Sequence, residues 1–223
     1  MSNREFLELY ARPGRIGLAG GITLIDKAIR RAERRQCDEG RWSNWSHAFL
    51  FGECRTDGHH WVIESDLAAA RKHIRFGVQE NRVAKYHDEE LYGSLAILDF
   101  NLPPEKITAL IHEGLELVAT CTRYSLRELV GTLLALRHPG LRQRENILAR
   151  EKSFYCSALV EHLYRKIGLD LTPGIDVKNN TPEDIFRTAI PHTTYLLDRQ
   201  LEESKLKNLA TRMRAKIRHR RLT

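Results

Sequence analysis

Four cysteines, Cys37, Cys54, Cys121 and Cys156, are the candidate nucleophiles of this 223-residue chain, and one stands apart by its position. In SFYCSALV, residues 153–160, Cys156 falls where an apolar helical pattern begins. Cys156, Val160, Leu163 and Ile167 share one helix face. Burial is the plain reading, because free cysteine packs as a small hydrophobe. The first turn of a helix supports another reading. Its unpaired N–H groups and dipole favour an anion, and the thiolate is the nucleophilic form of cysteine.

A thiol nucleophile needs a base, and the base needs a group to orient it. The chain has ten histidines, so a histidine alone carries little information. His47 is better placed than most. It heads the apolar run of WSHAFLF, which reads as a strand over 46–53. Glu64, in VIESD, lies in the strand expected over 60–66, where an acid must be exposed or paired. The intervening DGHH reads as a turn, and an antiparallel hairpin can put His47 and Glu64 on one face. For each, the plain alternative is a strand residue facing solvent.

Other clusters carry less. His59 and His60, taken with His47, Cys54 and His73, match no metal-ligand spacing. A turn with two exposed histidines accounts for them, and no metal or cofactor is expected. No CxxC pair exists, and Cys37, Cys54 and Cys121 have no motif around them. They read as reduced and incidental.

The elements that must position these residues fall into two halves. RPGRIGLAGG, residues 12–21, is glycine-rich and reads as a loop. Ile22, Ile25, Ile29 and Ala32 then follow helical spacing. The hairpin comes next, and further strands are expected near 72–78 and over 94–101. Pro103 and Pro104 open a helix carrying Ile107, Leu110, Ile111, Leu115 and Val118. Ser125 can cap another, with Glu128 placed for a capping box. The Cys156 helix ends at Gly168. Thr181-Pro182-Glu183-Asp184 reads as a cap followed by an N1 proline. A last helix is expected from about residue 196. Strands first and helices later argue an α+β fold.

His47 heading SHAFLF, then Glu64 in VIESD, then a late YCSALV helix: in this order the motifs resemble the permuted papain-like amidases. That family is the circularly permuted branch of the NlpC-type cysteine peptidases, related to lecithin–retinol acyltransferase. The resemblance spans about residues 12–188. It implies a papain-like, circularly permuted fold, with an antiparallel sheet from the first half packed on helices of the second. It implies Cys156 as nucleophile, His47 as general base and Glu64 as the residue orienting His47. Tyr155 and Ser157 belong to the same YCS signature and become pocket candidates. Tyr124, in TRYSLREL, is a further pocket candidate, with simple packing as the alternative. The segment 181–184 is similar to the family's late "tP-x-D" element. The family often has a Gly-Asp pair near the first strand, and here the equivalent stretch is PGRIG, with Arg15 in the acid's place.

The implied reaction is hydrolysis or acyl transfer at an amide through a thioester acyl-enzyme. The bond attacked would be a peptidoglycan-type peptide bond or a lipid-like N-acyl bond. The expected organisation is a catalytic domain over 1–195 and a basic amphipathic helix over 196–223.

Composition bounds the rest. At 42% hydrophobic and 29% charged residues, the chain reads as globular. It has no apolar run of eighteen residues for a membrane span and no apolar leader at its start. A cytoplasmic protein is the default expectation, with signal-independent export as the alternative. The formal net charge of +7 comes from residues 205–223, which hold eight Lys or Arg and no acid. Interleaved with Leu206, Ala210, Met213 and Ile217, these cations suit an anionic membrane surface or nucleic acid. The rival function is therefore a non-catalytic binding module that uses this tail, with Cys156 as a core residue.

Overall fold

The glycine-rich stretch read as a loop is in fact a strand inside the sheet. In this computed structural model, which describes residues 1–37, 41–66, 77–120, 126–136, 139–144 and 154–199, β1 spans Ile16–Gly21 and is buried along its length. Its glycines answer to close contacts. A Cβ on Gly17 would sit 2.1 Å from the Phe49 ring, and one on Gly20 would sit 2.2 Å from the Asn44 carbonyl oxygen. No larger side chain fits there, so composition disguises a buried strand.

The other strands are β2 His47–Cys54, β3 His60–Asp66, β4 Gly77–Arg82, β5 Tyr92–Asp99 and β6 Thr193–Asp198. They form one six-stranded sheet in the order β4-β3-β2-β1-β5-β6, and every pairing is antiparallel. The β2–β3 hairpin holds Leu50 opposite Ile63. The strand expected near 72–78 begins at Gly77 and runs on to Arg82, and residues 67–76 lie outside the described ones.

Helices cover both faces. The first is α1, Asn3–Tyr10, closed by a Ser2–Glu5 capping box, and the second is α2, Leu24–Ala32, closed by Thr23 and Asp26. After the sheet's first five strands come α3 Pro104–Ala119, α4 Leu126–Ala135, α5 Pro139–Arg142, α6 Cys156–Lys166 and α7 Pro182–Phe186. On one face, Ile16, Leu18, Ala48, Leu50 and Ile63 pack against Leu110 of α3 and Leu159, Val160 and Leu163 of α6. Each such fully buried side chain contributes roughly 1.5–3 kcal/mol. On the other face, Phe49, Phe51 and Val62 pack against Phe6 and Leu7 of α1 and against Tyr86. The architecture is α+β.

Three expectations change. Residues 196–198 do not yet belong to a helix but complete β6, paired with β5 from Thr193 opposite Asp99 to Asp198 opposite Ser94, and helical backbone starts at Arg199. The expected division between 1–195 and 196–223 falls inside that strand. The physical reason is pairing: Thr193–Asp198 extends the sheet edge along β5, with Leu197 and Asp198 buried at its end. The rest of the expected basic helix lies outside the described residues, as do Ser125, Tyr124, His73 and Cys121. Finally, the α2 stripe is only half buried. Ile29 is inside, whereas Ile22 and Ile25 are exposed. Among the described residues no helix is long and apolar enough to cross a membrane.

Candidate active site

Cys156 is the first residue of α6. Tyr155 caps the helix with extended backbone but makes no side-chain hydrogen bond to the first turn, so no cap competes for the N–H groups there. Helical spacing still rules the rest of α6, with Leu159, Val160 and Leu163 in the core. Cys156 itself is 4% exposed. Both readings of the residue thus meet: it lies on the packed side of the helix and at its N-terminal tip.

His47 opens β2 and Glu64 sits in β3. With Leu50 opposite Ile63, the two fall on the same face of the hairpin. Nε2 of His47 lies 2.7 Å from Oε2 of Glu64. An ionised carboxylate only accepts, so Nε2 carries the proton and donates it. That leaves Nδ1 free of Glu64, and Cys156 lies close enough to the ring to favour its charged form. Burial works against a charged imidazole here. The influence of Cys156 and the hydrogen bond and charge of Glu64 outweigh it and push His47 up to about 10.

Glu64 is fully buried and fully partnered. Besides His47, its Oε2 accepts from the Tyr86 hydroxyl. Its Oε1 accepts from Asn81 Nδ2 at 2.6 Å and from Lys85 Nζ at 2.7 Å. Burial would raise its pKa, but the charges of Lys85 and His47 hold it well below the usual carboxylate range. Lys85 also pairs with Asp66, two residues along the same face of β3. Tyr86 stacks on Phe49, ring centroids 4.2 Å apart, so the hydroxyl on Glu64 is held by the packed core.

Asn81, Lys85 and Tyr86 were not legible as site residues. They come from the end of β4 and the 3₁₀ turn Val83–His87, where no period marks a face. The one available signal was Asp66, in phase with Glu64, which calls for a cation nearby.

His47, Glu64 and Asp66 also each offer one atom to a common centre, all within 4.8 Å of one another. The sequence reading named a different histidine group and missed this one. In the structure the Lys85 ammonium contacts both carboxylates of the three.

A small cavity of about 10 Å³ adjoins Cys156, lined among others by Glu33, Ser46, Thr132, Asn180 and Thr181. Tyr155 and Ser157, expected in the pocket, line it too. Their hydroxyls are committed elsewhere: Tyr155 donates to the Asn180 carbonyl at 2.8 Å and Ser157 to the same oxygen at 3.2 Å. Thr181 joins the lining as the N-cap of α7, closed by a capping box with Asp184. An apolar groove of about 520 Å³ between α2 and α4 shares Leu133 and Leu136 with the cavity, with Arg31 and Arg34 on its walls. Arg15 stands apart: it pairs with Asp99 at 2.6 Å and donates to the Tyr10 carbonyl. Cys54 is exposed and Cys37 half-buried, the latter's thiol pushed up to about 12 by burial and by Glu183.

No family model matches the chain, and no curated protein matches it. Among solved structures it is similar to the metalloprotein yiiX from Escherichia coli O157:H7. The identity is 14%, the TM-score 0.54, and the match covers 82% of this chain and 96% of that one. At that identity the likeness shows a shared fold and nothing more.

Proposed function

We propose that the protein is a cysteine hydrolase or acyltransferase of the permuted papain-like type, acting on an amide. One observation carries the reading: Glu64 bonds the ring of His47, and Cys156, at the tip of α6, lies close enough to favour the charged ring. A core cysteine has no need of a half-buried histidine held charged by a buried glutamate. The order His, Glu, Cys along the chain supports the permuted, NlpC-like form of the fold.

In this reading His47 takes the Cys156 thiol proton, forming a thiolate–imidazolium pair. Sγ attacks the amide carbonyl carbon, and the oxyanion forms against backbone N–H groups at the start of α6. The proton on Nδ1 passes to the leaving amine as the C–N bond breaks, leaving a thioester on Cys156. Water or another acceptor, deprotonated by His47, then attacks the thioester carbonyl. Sγ leaves and the acid or transferred product departs. Glu64 keeps the ring in one tautomer and one orientation throughout.

The substrate is a peptide-type amide or a lipid-like N-acyl amide. The apolar groove beside the cavity favours the second and the polar lining of the cavity the first. The structural neighbour is named a metalloprotein. In this chain a metal at His47, Glu64 and Asp66 would have to displace the Lys85 ammonium, and the mechanism uses none. Binding through the basic tail at an anionic surface remains compatible with catalysis in the body.

The test is competitive alkylation with iodoacetamide at pH 6, where ordinary thiols are protonated. Cys156 of the folded protein should react faster than Cys37, Cys54 and Cys121, and His47→Ala should remove that advantage. Modification of Cys156 only after unfolding would return it to the core.

A further inference from the structure

The outer face of α2 joins exposed apolar side chains to cations that have no partner. Leu24, the first residue of the helix, is 85% exposed, and Ile22 and Ile25 beside it are exposed as well. Val130 and Leu134, on the α4 side of the groove between the two helices, are also exposed. A single exposed leucine is ordinary, but a contiguous apolar patch with a polar rim marks a contact surface. Helical spacing orders this one. Leu24, Ala28 and Ala32 succeed one another along α2, and Lys27, Arg31 and Arg34, the last in the 3₁₀ turn Glu33–Arg35, run beside them. The opposite side of α2 faces inward. There Ile29 and Arg30 are buried, and Arg30 donates to the Ser43 carbonyl.

Arginines elsewhere on the molecule are paired. Arg4 meets Glu8, Arg55 meets Glu80, Arg165 meets Glu161 and Arg199 meets Glu89. Lys27, Arg31 and Arg34 are exposed, and among the described residues none of the three meets a carboxylate. The acids of the same segment are spent elsewhere. Asp26 closes the cap with Thr23, and Glu33 is fully buried. The segment thus presents an unopposed positive rim along an apolar stripe.

We infer that this face docks on an anionic phospholipid bilayer, with the apolar stripe entering the headgroup region and the three cations on lipid phosphates. Both halves of the surface are used by that partner. Nucleic acid would use the cations alone: Leu24 and Ile25 gain nothing from a phosphodiester backbone, and the described residues of this face include no aromatic ring to stack on a base. The chain's own basic end meets like charge here, since residues 205–223 hold eight Lys or Arg and no acid. A second copy presenting the same face would set these cations against each other. The docking does not depend on the chemistry of Cys156, but it orients it. Ile29 and Glu33, on the inner side of the same segment, line the cavity beside that sulfur.

The test is sedimentation of the full-length protein with vesicles. One set is phosphatidylcholine alone and the other an equimolar mixture with phosphatidylglycerol. The unaltered protein should bind the mixed vesicles at low salt and leave the neutral ones in place. A cation near an anionic surface contributes about fivefold in affinity, so Lys27→Glu with Arg31→Glu should weaken binding by at least about 30-fold. Leu24→Ser with Ile25→Ser keeps every charge and should weaken it at least about tenfold. All four side chains are exposed, and circular dichroism checks that both variants stay folded. The inference requires both losses. Binding retained by the serine pair makes the contact purely electrostatic, as nucleic acid would, and overturns it. Binding retained by the glutamate pair assigns the attraction to residues 205–223 and overturns it too. No vesicle binding by the unaltered protein overturns it outright, and if the serine pair then abolishes self-association, the face belongs to a second copy.

Discussion

Replacing Glu64 by glutamine removes one charge and almost no volume, so it isolates what the buried carboxylate does for His47. Lifting an imidazole from its ordinary value to about 10 represents roughly 5 kcal/mol of preference for the charged ring. Burial opposes the charged ring, so Cys156 and Glu64 together supply at least that much. Assigning about half to Glu64 gives roughly 2–3 kcal/mol, or about 30- to 100-fold in the population of the thiolate–imidazolium pair. The assay is the rate of Cys156 alkylation by iodoacetamide as a function of pH. At pH 6 the variant should react about 30-fold more slowly than the unaltered protein. Near pH 10 the two should converge, because an unassisted thiol is ionised there. The fold should survive, since Lys85 keeps Asp66 and glutamine can still accept from Asn81. A folded variant within about threefold of the unaltered protein at pH 6 would refute the electrostatic role of Glu64.

Lys85→Met strips the cation from two carboxylates. It should cost about 2–3 kcal/mol in urea unfolding, less than the loss from a fully buried pair because Lys85 keeps 23% exposure. Gly17→Ala drives a methyl into the Phe49 ring, which is stacked on Tyr86. A cost of roughly 1–3 kcal/mol and slower Cys156 alkylation are expected, and a neutral effect on both would contradict the packing account. The pH dependence of stability has two limbs. The contribution of His47, whose pKa is raised on folding, is complete below about 6.5 and fades as pH climbs toward about 10. That of Glu64, depressed on folding, is complete above about 4.3 and is lost on acidification. Denaturation midpoints should therefore be highest between about pH 4.5 and 6.5, and His47→Asn should flatten the alkaline limb. Exhaustive chelation should leave Cys156 reactivity unchanged, whereas a loss restored by added zinc would favour a metal in place of Lys85.

What could be read from the chain depended on periodicity. The hairpin, α3, the Cys156 helix and the Thr181 cap were legible because alternation, helical spacing and capping residues are local. His47 and Glu64 were legible for the same reason: each is a polar residue out of place in an apolar strand. β1 was not, since its glycines are chosen by what touches them, the Phe49 ring and the Asn44 carbonyl, and not by strand preference. β6 was hidden because it returns to the sheet from the helical half and pairs with β5, a contact no local pattern announces. The clamp on Glu64 was hidden likewise, because it is defined by a neighbour distant along the chain, Lys85.

The account rests on covalent chemistry at one sulfur, and the acyl-enzyme is its most direct witness. The folded protein is mixed with p-nitrophenyl acetate, an activated ester that needs no natural substrate, quenched in acid and digested for peptide mass. The account predicts a burst of nitrophenol of about one per chain, with the acetyl group on Cys156. The burst should disappear in Cys156→Ala and slow sharply in His47→Ala. An acetyl group found elsewhere, or a burst that survives Cys156→Ala, would contradict it.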